Sequence, residues 1–313
     1  MSLEKFVTHR LVLEKGQAKL TACQKADYIR AIENAGLSSA FLAELPLLYW
    51  FLHSLPIPSI RTIFHANEYL LERGEQAVVN SRASSQSESA NIFSSILAET
   101  EKGDEKLTDL DVQIEAGNLI LAGSDTTANT LTYLIWAVLK RPTLRTELEK
   151  EVADLSDDLA DSTLESLPIL NAVVDETLRL YCAAPGTLPR IVPNGGATLA
   201  GHFLPAGTTI GTQAFTYHRD PTLFPDPETF DHARWLAPNV MSDAAKAAYS
   251  PFGAGTRICL GIHVAKMELR LAAAVFFREC KGAKLAPSTT DASMDIENFF
   301  LIAPKGHQCE IVI

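Results

Sequence analysis

Apolar residues recur at helical spacing through most of the chain, which predicts a mainly α-helical protein. From Pro189 the pattern changes to short β-rich runs between Gly and Pro, which is typical of small hairpins. Gly36 is expected to end the first helix, and the polar run 84–90 to form a linker. The predicted helices cover residues 20–36, 60–83, 91–103, 108–140, 142–155, 166–184 and 261–280. We therefore expect a mainly α fold with small β-sheets.

The longest predicted helix, 108–140, contains an interruption of its own pattern. It opens at Thr108, with Asp111 in the capping-box position. Its middle is apolar nearly all round, which places it in the core, yet residues 122–127 read AGSDTT. Gly123 weakens a helix by about 1 kcal/mol relative to Ala, and a Thr hydroxyl can bond to the carbonyl four residues earlier. Such local exceptions often mark function; the alternative is a solvated face or a bend needed for packing.

Two charged residues lie on one face of the helix 166–184. Glu176 and Arg179 are three residues apart, which places them side by side. An ordinary surface ion pair there would contribute under about 1 kcal/mol. The residues around this pair are apolar, which indicates instead that the pair is partly buried. These apolar neighbours are Val173, Val174, Leu178 and Leu180.

The segments after the hairpins are also distinctive. Residues 219–238 are rich in proline and predict an irregular, well-packed meander. The tail predicts a final hairpin around Pro304–Gly306.

Residues 41–60 form an apolar, aromatic stretch that contains three prolines. One interpretation is a buried helix–loop–helix corner. The other is a surface loop that dips into a bilayer interface or covers an apolar pocket. The chain has no uninterrupted apolar run of membrane-spanning length, so no transmembrane helix is expected, and its N-terminus does not have the pattern of a signal peptide.

Composition narrows the function classes. The net charge of −11 argues against a general binder of nucleic acid or anionic membrane. The five cysteines are odd in number and scattered, which indicates a reducing compartment rather than a disulfide framework. None forms a CxxC pair, so a structural zinc site is not expected.

The stretch 250–261, SPFGAGTRICLG, carries the most specific chemistry. Its glycines allow positive φ and close approach to a flat partner. Cys259 lies just before a helix, whose N-terminus favours a thiolate. Arg257 suits a carboxylate. Together these features suit a heme whose iron binds sulfur and whose propionates bind guanidinium.

This stretch resembles the heme loop FxxGxRxCxG of the cytochrome P450 monooxygenases, in a eukaryotic, fungal-like form. All five fixed positions match, namely Phe252, Gly255, Arg257, Cys259 and Gly261. The resemblance implies that Cys259 is the axial ligand of the iron of heme b and that the other four residues help to bind the cofactor.

Further signatures follow in the order of that family. Residues Ala122 and Gly123 resemble the cofactor-facing turn of its oxygen-activating helix, and Asp125 and Thr126 its catalytic acid–alcohol pair. Glu176 and Arg179 resemble its ExxR motif, and Arg234 the arginine that completes the structural triad, although His232 and Ala233 replace the usual Pro-Glu. Arg190 is similar to a propionate-binding arginine.

The resemblance implies a cytochrome P450 fold that lacks its N-terminal portion. It implies one domain over 1–313, in which 1–107 form roof and substrate-side helices and 108–142 the oxygen-activating helix. Residues 168–313 would supply the ExxR helix, the hairpins, the meander and the heme-binding loop. On this reading, 41–60 becomes a candidate for peripheral membrane contact.

The implied function is oxidation in secondary metabolism, with insertion of one atom of O2 into a lipophilic small molecule. Electrons would come from an NADPH-cytochrome P450 reductase, with Lys266 and Arg270 as candidate contacts or, equally, as solvated charges. Three segments are candidates to line the substrate pocket, namely Ala122 with its neighbours, residues 183–188 and residues 299–302. The location would be intracellular, at the cytoplasmic face of the endoplasmic reticulum if membrane-associated and otherwise cytoplasmic. The alternatives are a heme-thiolate isomerase or dehydratase, and a non-catalytic truncated remnant.

Overall fold

The computed structural model describes residues 27–84, 108–157, 159–239, 241–298 and 300–313. The expected linker 84–90 lies almost wholly outside these ranges, and the expected helix 91–103 lies wholly outside them. The prediction of a mainly α protein is confirmed. The helices are α1 (Asp27–Glu44), α2 (Pro46–His53), α3 (Pro58–Phe64), α4 (Ala66–Ser84), α5 (Asp109–Leu139), α6 (Pro142–Val152), α7 (Asp161–Glu165), α8 (Pro168–Tyr181), α9 (Ala214–Tyr217), α10 (Asp243–Ala248) and α11 (Ile262–Glu279).

The described residues divide into two compact units between Thr126 and Thr127, inside α5. The N-terminal unit contains α1 to α4 and the first part of α5. The C-terminal unit contains the rest of α5 and every described element after it. The single-domain organisation expected over 1–313 stays a prediction.

Two helix boundaries in the N-terminal unit differ from expectation. Gly36 does not end α1, which continues to Glu44, because Ala35 and Ser38 are both buried and packing offsets the intrinsic cost of glycine. The helix expected over 60–83 is two helices, α3 and α4, which meet at His65. The backbone of His65, at φ −100° and ψ 11°, lies outside the helical region.

The apolar stretch 41–60 forms the end of α1, all of α2 and the start of α3. Tyr49 is buried, but Leu47 is 88% exposed and Trp50 and Phe51 are each 60% exposed. The interpretation as a buried corner is therefore wrong for this face of α2. None of the helices in the described ranges is long and apolar enough to cross a bilayer.

Helices α4 and α5 pack with their backbones in close contact. A Cβ at Gly74 would lie 2.4 Å from the carbonyl oxygen of Gln113 and 2.9 Å from the amide nitrogen of Gly117. Only glycine fits a helix contact this close, because any side chain would collide with backbone atoms. Val78, Val112 and Ala116 fill the adjoining small core.

The start of α5 confirms the expected capping box. The Thr108 hydroxyl oxygen accepts a hydrogen bond from the Asp111 amide at 3.2 Å, and the Asp111 carboxylate accepts one from the Thr108 amide at 2.8 Å. Two otherwise unpaired backbone donors are thereby satisfied. The last turns of α5, from Tyr133 to Leu139, are buried and belong to the core of the C-terminal unit.

The core of the C-terminal unit forms between the end of α5 and helices α6, α8 and α11. The two backbone amides at the start of α8, those of Ile169 and Leu170, each donate to the Glu151 carboxylate at 2.8 Å, so this helix is capped from outside. The fully buried large apolar side chains of this core are Tyr133, Leu134, Leu148, Leu164, Leu170, Leu269, Phe277, Met294, Ile302 and Ile311.

Four small antiparallel sheets complete the described part of the fold. Strands β1 (Thr187–Ile191) and β4 (Thr209–Gln213) pair around the hairpin of β2 (Ala197–Leu199) and β3 (His202–Leu204). Strand β5 (Lys284–Leu285) pairs with β8 (Ile311–Val312), and β6 (Ile296–Asn298) with β7 (Ile302–Pro304). The tail hairpin therefore turns between β6 and β7. A turn is also present at Pro304–His307, where the His307 amide donates to the Pro304 carbonyl at 2.7 Å. The strands on either side of that turn, β7 and β8, pair with β6 and β5 and not with each other, so the prediction of a hairpin around Pro304–Gly306 is wrong. Proline donates no backbone hydrogen bond, and the Gly306 amide bonds instead to Ser293 at 2.7 Å.

Candidate functional site

The loop before α11 presents an exposed thiol. The Cys259 amide donates to the Phe252 carbonyl at 2.9 Å, and the Ile258 amide donates to the Gly255 carbonyl at 3.1 Å. A short 3-10 turn, Gly255–Arg257, lies between these bonds. Phe252 is half-buried and packs against the core, whereas Cys259 is exposed. The backbone bonds thus fix the loop while the sulfur stays accessible.

Glycines shape this loop at two positions. Gly253 and Gly255 have φ of +74° and +73°, a conformation that side chains with a Cβ rarely adopt. The space beside Gly255 is open, and a Cβ at Gly253 would lie 3.4 Å from the Leu188 side chain of β1. A Cβ at Gly261, which precedes α11, would lie 3.9 Å from the Cys259 sulfur. The glycines of the loop therefore place no side chain against the Cys259 thiol.

Two exposed arginines belong to the same unit as the thiol. Arg257 lies two residues before Cys259, and Arg190 lies on β1, whose Leu188 contacts the loop. An Arg190 guanidinium nitrogen donates to the carbonyl of its neighbour Pro189 at 2.8 Å. Exposed guanidinium groups are suited to carboxylate partners. The roles of both arginines as propionate ligands stay predictions.

A buried carboxylate, Glu176, organises the region behind the loop. Glu176 and Arg179 are both fully buried, which confirms the expected burial of the pair. Arg179 donates to both carboxylate oxygens at 2.8 and 2.9 Å, and Arg234 donates at 3.1 Å. Two further groups donate to the Glu176 carboxylate, the Asp231 amide at 2.8 Å and the Trp235 indole at 2.9 Å. Neither was predicted from the sequence. The only local signal for Trp235 was its place next to Arg234.

All five N–H groups of Arg179 are used. Two bond Glu176, and the other three donate to the carbonyls of His218, Pro227 and Thr229 at 2.6, 2.7 and 3.1 Å. A buried arginine is tolerated only when its charge and its donors are satisfied in this way. Arg179 therefore fixes α8 to His218 and to two points of the meander at once.

His218 links this network to the thiol loop and was not identified from the sequence. Its Nδ1 donates to the Arg179 carbonyl at 2.8 Å, and its Nε2 accepts from the Ser250 amide at 3.0 Å. The ring therefore uses one donor and one acceptor, which requires the neutral form. Burial lowers the pKa of His218 to about 4, in agreement with these bonds. His218 thus anchors the first residue of the loop to α8.

The expected acid–alcohol pair lies on α5 in the N-terminal unit. The Thr126 hydroxyl donates to the Ala122 carbonyl four residues earlier at 2.7 Å, which confirms the back-bonding expected for this helix. Asp125 is buried, and Ala122 and Gly123 are exposed. The helix continues through Gly123 without interruption, and the space beside this glycine is open.

The two cations considered as reductase contacts are engaged within the protein. Lys266 pairs with Asp175 on α8 at 3.2 Å. Arg270 is buried and pairs with Asp161 and Glu165 at 2.7 and 3.0 Å. Arg270 is therefore not a solvated charge and is unsuited to docking a partner. Its ion pairs instead join α11 to α7.

Two cavities open in the C-terminal unit near residues 183–188. The larger, of about 540 Å³, is lined by both polar and apolar side chains, including Trp136, Tyr181, Phe215, Met294, Asn298 and Ile302. The smaller, of about 190 Å³, is lined by Ala184, Gly186, Thr187, Leu188, Asn298 and Phe300. Two of the three segments expected to line a substrate pocket thus meet at the smaller cavity. Phe300 is 71% exposed there.

Comparisons with known proteins agree with these features. Residues 7–311 match the family model named Cytochrome P450. The chain is 46% identical over 269 residues to cytochrome P450 monooxygenase stcB of Emericella nidulans. The alignment covers 85% of this chain and 50% of stcB. It is 46% identical over 272 residues to cytochrome P450 monooxygenase aflV of Aspergillus parasiticus, covering 85% of this chain and 54% of aflV. It is 40% identical over 313 residues to cytochrome P450 monooxygenase cypX of Dothistroma septosporum, and the alignment covers 97% of this chain and 61% of cypX. The chain thus spans about half to three fifths of the length of these curated relatives.

Proposed function

Because the chain belongs to the cytochrome P450 family, we propose that it acts as a heme-dependent monooxygenase of secondary metabolism. The reaction inserts one oxygen atom from O2 into a lipophilic small molecule, with electrons from an NADPH-cytochrome P450 reductase. The observation that carries the proposal is the exposed Cys259 thiol on a loop fixed by backbone bonds and backed by the Glu176 network.

The residues around Cys259 fit heme b. A single thiol, open space beside Gly255 at positive φ and exposed guanidinium groups match the needs of an iron, a flat macrocycle and its propionates. When bound, heme supplies the redox chemistry that activates dioxygen. Cys259 would donate electron density to the iron, and Arg257 and Arg190 would hold the propionates.

The Asp125–Thr126 pair supports oxygen activation over isomerisation or dehydration. The Thr126 hydroxyl uses its proton in the bond to Ala122, so its oxygen is oriented as an acceptor for a proton carrier such as water. Asp125, the buried acid beside it, would pass protons inward from solvent. An isomerase or dehydratase takes up no protons for oxygen cleavage and would have no use for this pair.

The cavities support a lipophilic substrate. The smaller cavity is lined largely by small and apolar side chains, and Phe300 offers an exposed ring beside it. Ligand sites of this kind bind mainly through apolar contact, with a few polar groups that fix orientation. Asn298 and Thr187 are the polar groups available here.

Replacement of Thr126 tests the proposal. In Thr126→Ala we expect reductase-dependent NADPH consumption to continue while the yield of product per NADPH falls by roughly 10-fold or more, because correctly placed proton transfer contributes about 10²–10⁴-fold. Product and hydrogen peroxide are measured together on lipophilic compounds that the wild type oxidises.

Thr132→Ala is the matched control, because Thr132 makes the same hydroxyl bond to the carbonyl of Ala128, at 2.8 Å. The control should retain the wild-type yield. Equal yields in all three proteins would contradict the assigned role of Thr126. Absence of any NADPH-dependent product from the heme-loaded wild type would favour the isomerase, dehydratase or non-catalytic alternatives.

The exposed face of α2 supports a peripheral membrane contact, for which we propose the cytoplasmic face of the endoplasmic reticulum. Leu47, Trp50 and Phe51 together offer an apolar, aromatic surface, a composition that favours the membrane interface. A protein that does not associate with membrane would instead be cytoplasmic.

Vesicle flotation tests this contact. We expect the double variant Trp50→Ser/Phe51→Ser to partition roughly 10–100-fold less into neutral phosphatidylcholine vesicles, because each exposed ring contributes about 1.5–3 kcal/mol at most. Leu199→Ser/Phe203→Ser, on the exposed β2–β3 hairpin, is the matched control. If both variants float like the wild type, α2 is not the contact.

A further inference from the structure

A cluster of three metal-binding side chains lies in the N-terminal unit. His53 ends α2, His65 lies between α3 and α4, and Glu68 is in the first turn of α4. His53 Nε2 is 3.0 Å from one Glu68 carboxylate oxygen, and His65 Nδ1 is 2.6 Å from the other. One ligand atom from each residue can be chosen so that all three lie within 4.8 Å of one another. In the described part of the chain, no other group of three His, Cys, Asp or Glu residues meets this condition.

The hydrogen bonds of His65 indicate what the cluster can bind. Its Nε2 is 3.2 Å from the His53 carbonyl oxygen, which can only accept, so Nε2 carries a proton. In the neutral ring this leaves a lone pair on Nδ1, facing the Glu68 carboxylate. Two acceptors so close require a proton or a cation between them. A metal ion bound between His65 Nδ1 and the Glu68 carboxylate meets this requirement.

We propose that His53, His65 and Glu68 form a binding site for a divalent transition metal, with Zn²⁺ as the ion that fits best. The ligands are His53 Nε2, His65 Nδ1 and a carboxylate oxygen of Glu68, and water completes a tetrahedron. Two imidazoles and a carboxylate are a ligand set that suits Zn²⁺, whereas Ca²⁺ and Mg²⁺ prefer oxygen alone.

Two features of the site are already those of a metal centre. A metal-bound histidine almost always donates its other N–H to a carbonyl or carboxylate, as His65 Nε2 does to the His53 carbonyl. The Glu68 carboxylate lies between the two imidazoles, 3.0 Å from His53 Nε2 and 2.6 Å from His65 Nδ1, so the three ligand groups already converge.

The side chains have room to close on an ion. Zn²⁺ lies about 2.0–2.2 Å from nitrogen and oxygen ligands, so ligand atoms around it are farther apart than the 2.6 Å between His65 Nδ1 and Glu68. The imidazole rings, stacked with centroids 3.9 Å apart, must also turn toward each other. Both movements are feasible because the Glu68 side chain is 58% exposed and the histidines are 21% and 25% exposed.

Metal binding would fasten the end of α2 to the start of α4. The ligands span 15 residues of chain and close the corner that carries Trp50 and Phe51. Any ion that binds the folded state preferentially stabilises it in proportion to the logarithm of its concentration. The site is thus a clamp on the apolar face of α2, independent of oxidation chemistry.

Metal titration of the whole, heme-loaded chain tests the proposal. Equilibrium dialysis against ZnCl₂ should show one more bound equivalent in the wild type than in Glu68→Gln or in His53→Ala/His65→Ala. The loss in affinity should be at least the 10–100-fold that removal of an outer-shell partner causes. His202→Ala, at an exposed position on β3, is the matched control and should keep the wild-type stoichiometry.

Co²⁺ distinguishes this site from cysteine sites. It should give absorption typical of tetrahedral nitrogen and oxygen ligation, lost in Glu68→Gln, with no thiolate charge-transfer band tied to that loss. Glu68→Gln keeps the side-chain shape, and its circular dichroism shows whether the helices remain. Equal stoichiometry in wild type and variants, or a wild type without this Zn²⁺ equivalent at millimolar concentration, overturns the proposal.

Discussion

Cys259→Ser is expected to abolish the thiolate-type absorption band of the reduced, carbon monoxide-bound protein, together with all oxygenation. Serine cannot supply the electron-rich sulfur that this spectrum and the cleavage of the O–O bond depend on. The stability of the heme-free protein should barely change, because an exposed side chain away from the core contributes within about 0.5 kcal/mol. The spectrum is recorded on protein loaded with heme, alongside a thermal melt.

Cys309→Ser is the matched control for loss of a thiol. Cys309 is half-buried and packs at the edge of the core, away from the loop in sequence. The control should keep the band of the wild type. A band that persists in Cys259→Ser, or a wild type that never shows one with added heme, would remove the basis for a heme-thiolate enzyme and leave the non-catalytic alternative.

The second large effect is expected at the buried Glu176 network. In Glu176→Gln the Arg179 charge stays buried but loses its counter-charge, a change that typically costs about 3–5 kcal/mol. Arg179→Lys should be comparably damaging, because lysine has three donors where arginine uses five. The free energy of unfolding in urea measures both losses.

Glu228→Gln provides the comparison with an exposed ion pair. Glu228 accepts from Arg219 at 3.2 Å, but its side chain is 74% exposed, so its loss should cost under about 1 kcal/mol. If Glu176→Gln unfolds within 1 kcal/mol of the Glu228 variant, the buried network does not hold α8 to the meander. A large loss should also lower the fraction of protein that retains heme, because His218 connects this network to the loop.

The sequence predicted well where an interaction is local. The capping box at Thr108 and Asp111, the bond from Thr126 to Ala122, and the pair of Glu176 and Arg179 all join residues three or four positions apart. On a helix such spacing alone places the groups side by side. The cysteine loop was similarly readable, because its glycines and cysteine are contiguous.

The interactions that escaped prediction bring distant segments together. Trp235 and the amide of Asp231 reach Glu176 across 59 and 55 residues, and His218 reaches Arg179 across 39. Nothing in the sequence around these residues specifies where an irregular meander returns to the helix. Arg270 was misjudged for the same reason, because its acidic partners lie more than a hundred residues away.

The proposed zinc site is of a different kind from the zinc site that the sequence argued against. The absence of a CxxC pair argued only against a structural zinc site built on cysteine. The cluster of His53, His65 and Glu68 arises instead because α3 and α4 meet at His65, a break that helical periodicity did not show. The ligands come together through the path of the chain, with no spacing motif to mark them.

The exposure of Cys259 also has a consequence for the lifetime of the protein. Among the described cysteines, Cys182 and Cys280 are buried, and burial raises the pKa of Cys182 to about 12, so its sulfur is chemically inert. Peroxides and electrophiles in solution would reach Cys259 first. Without a bound cofactor its sulfur can pass through sulfenic acid to sulfinic acid, which most proteins cannot reverse. Heme binding would then compete with oxidation of Cys259. A molecule oxidised first would be inactivated at the Cys259 sulfur while its fold stays intact.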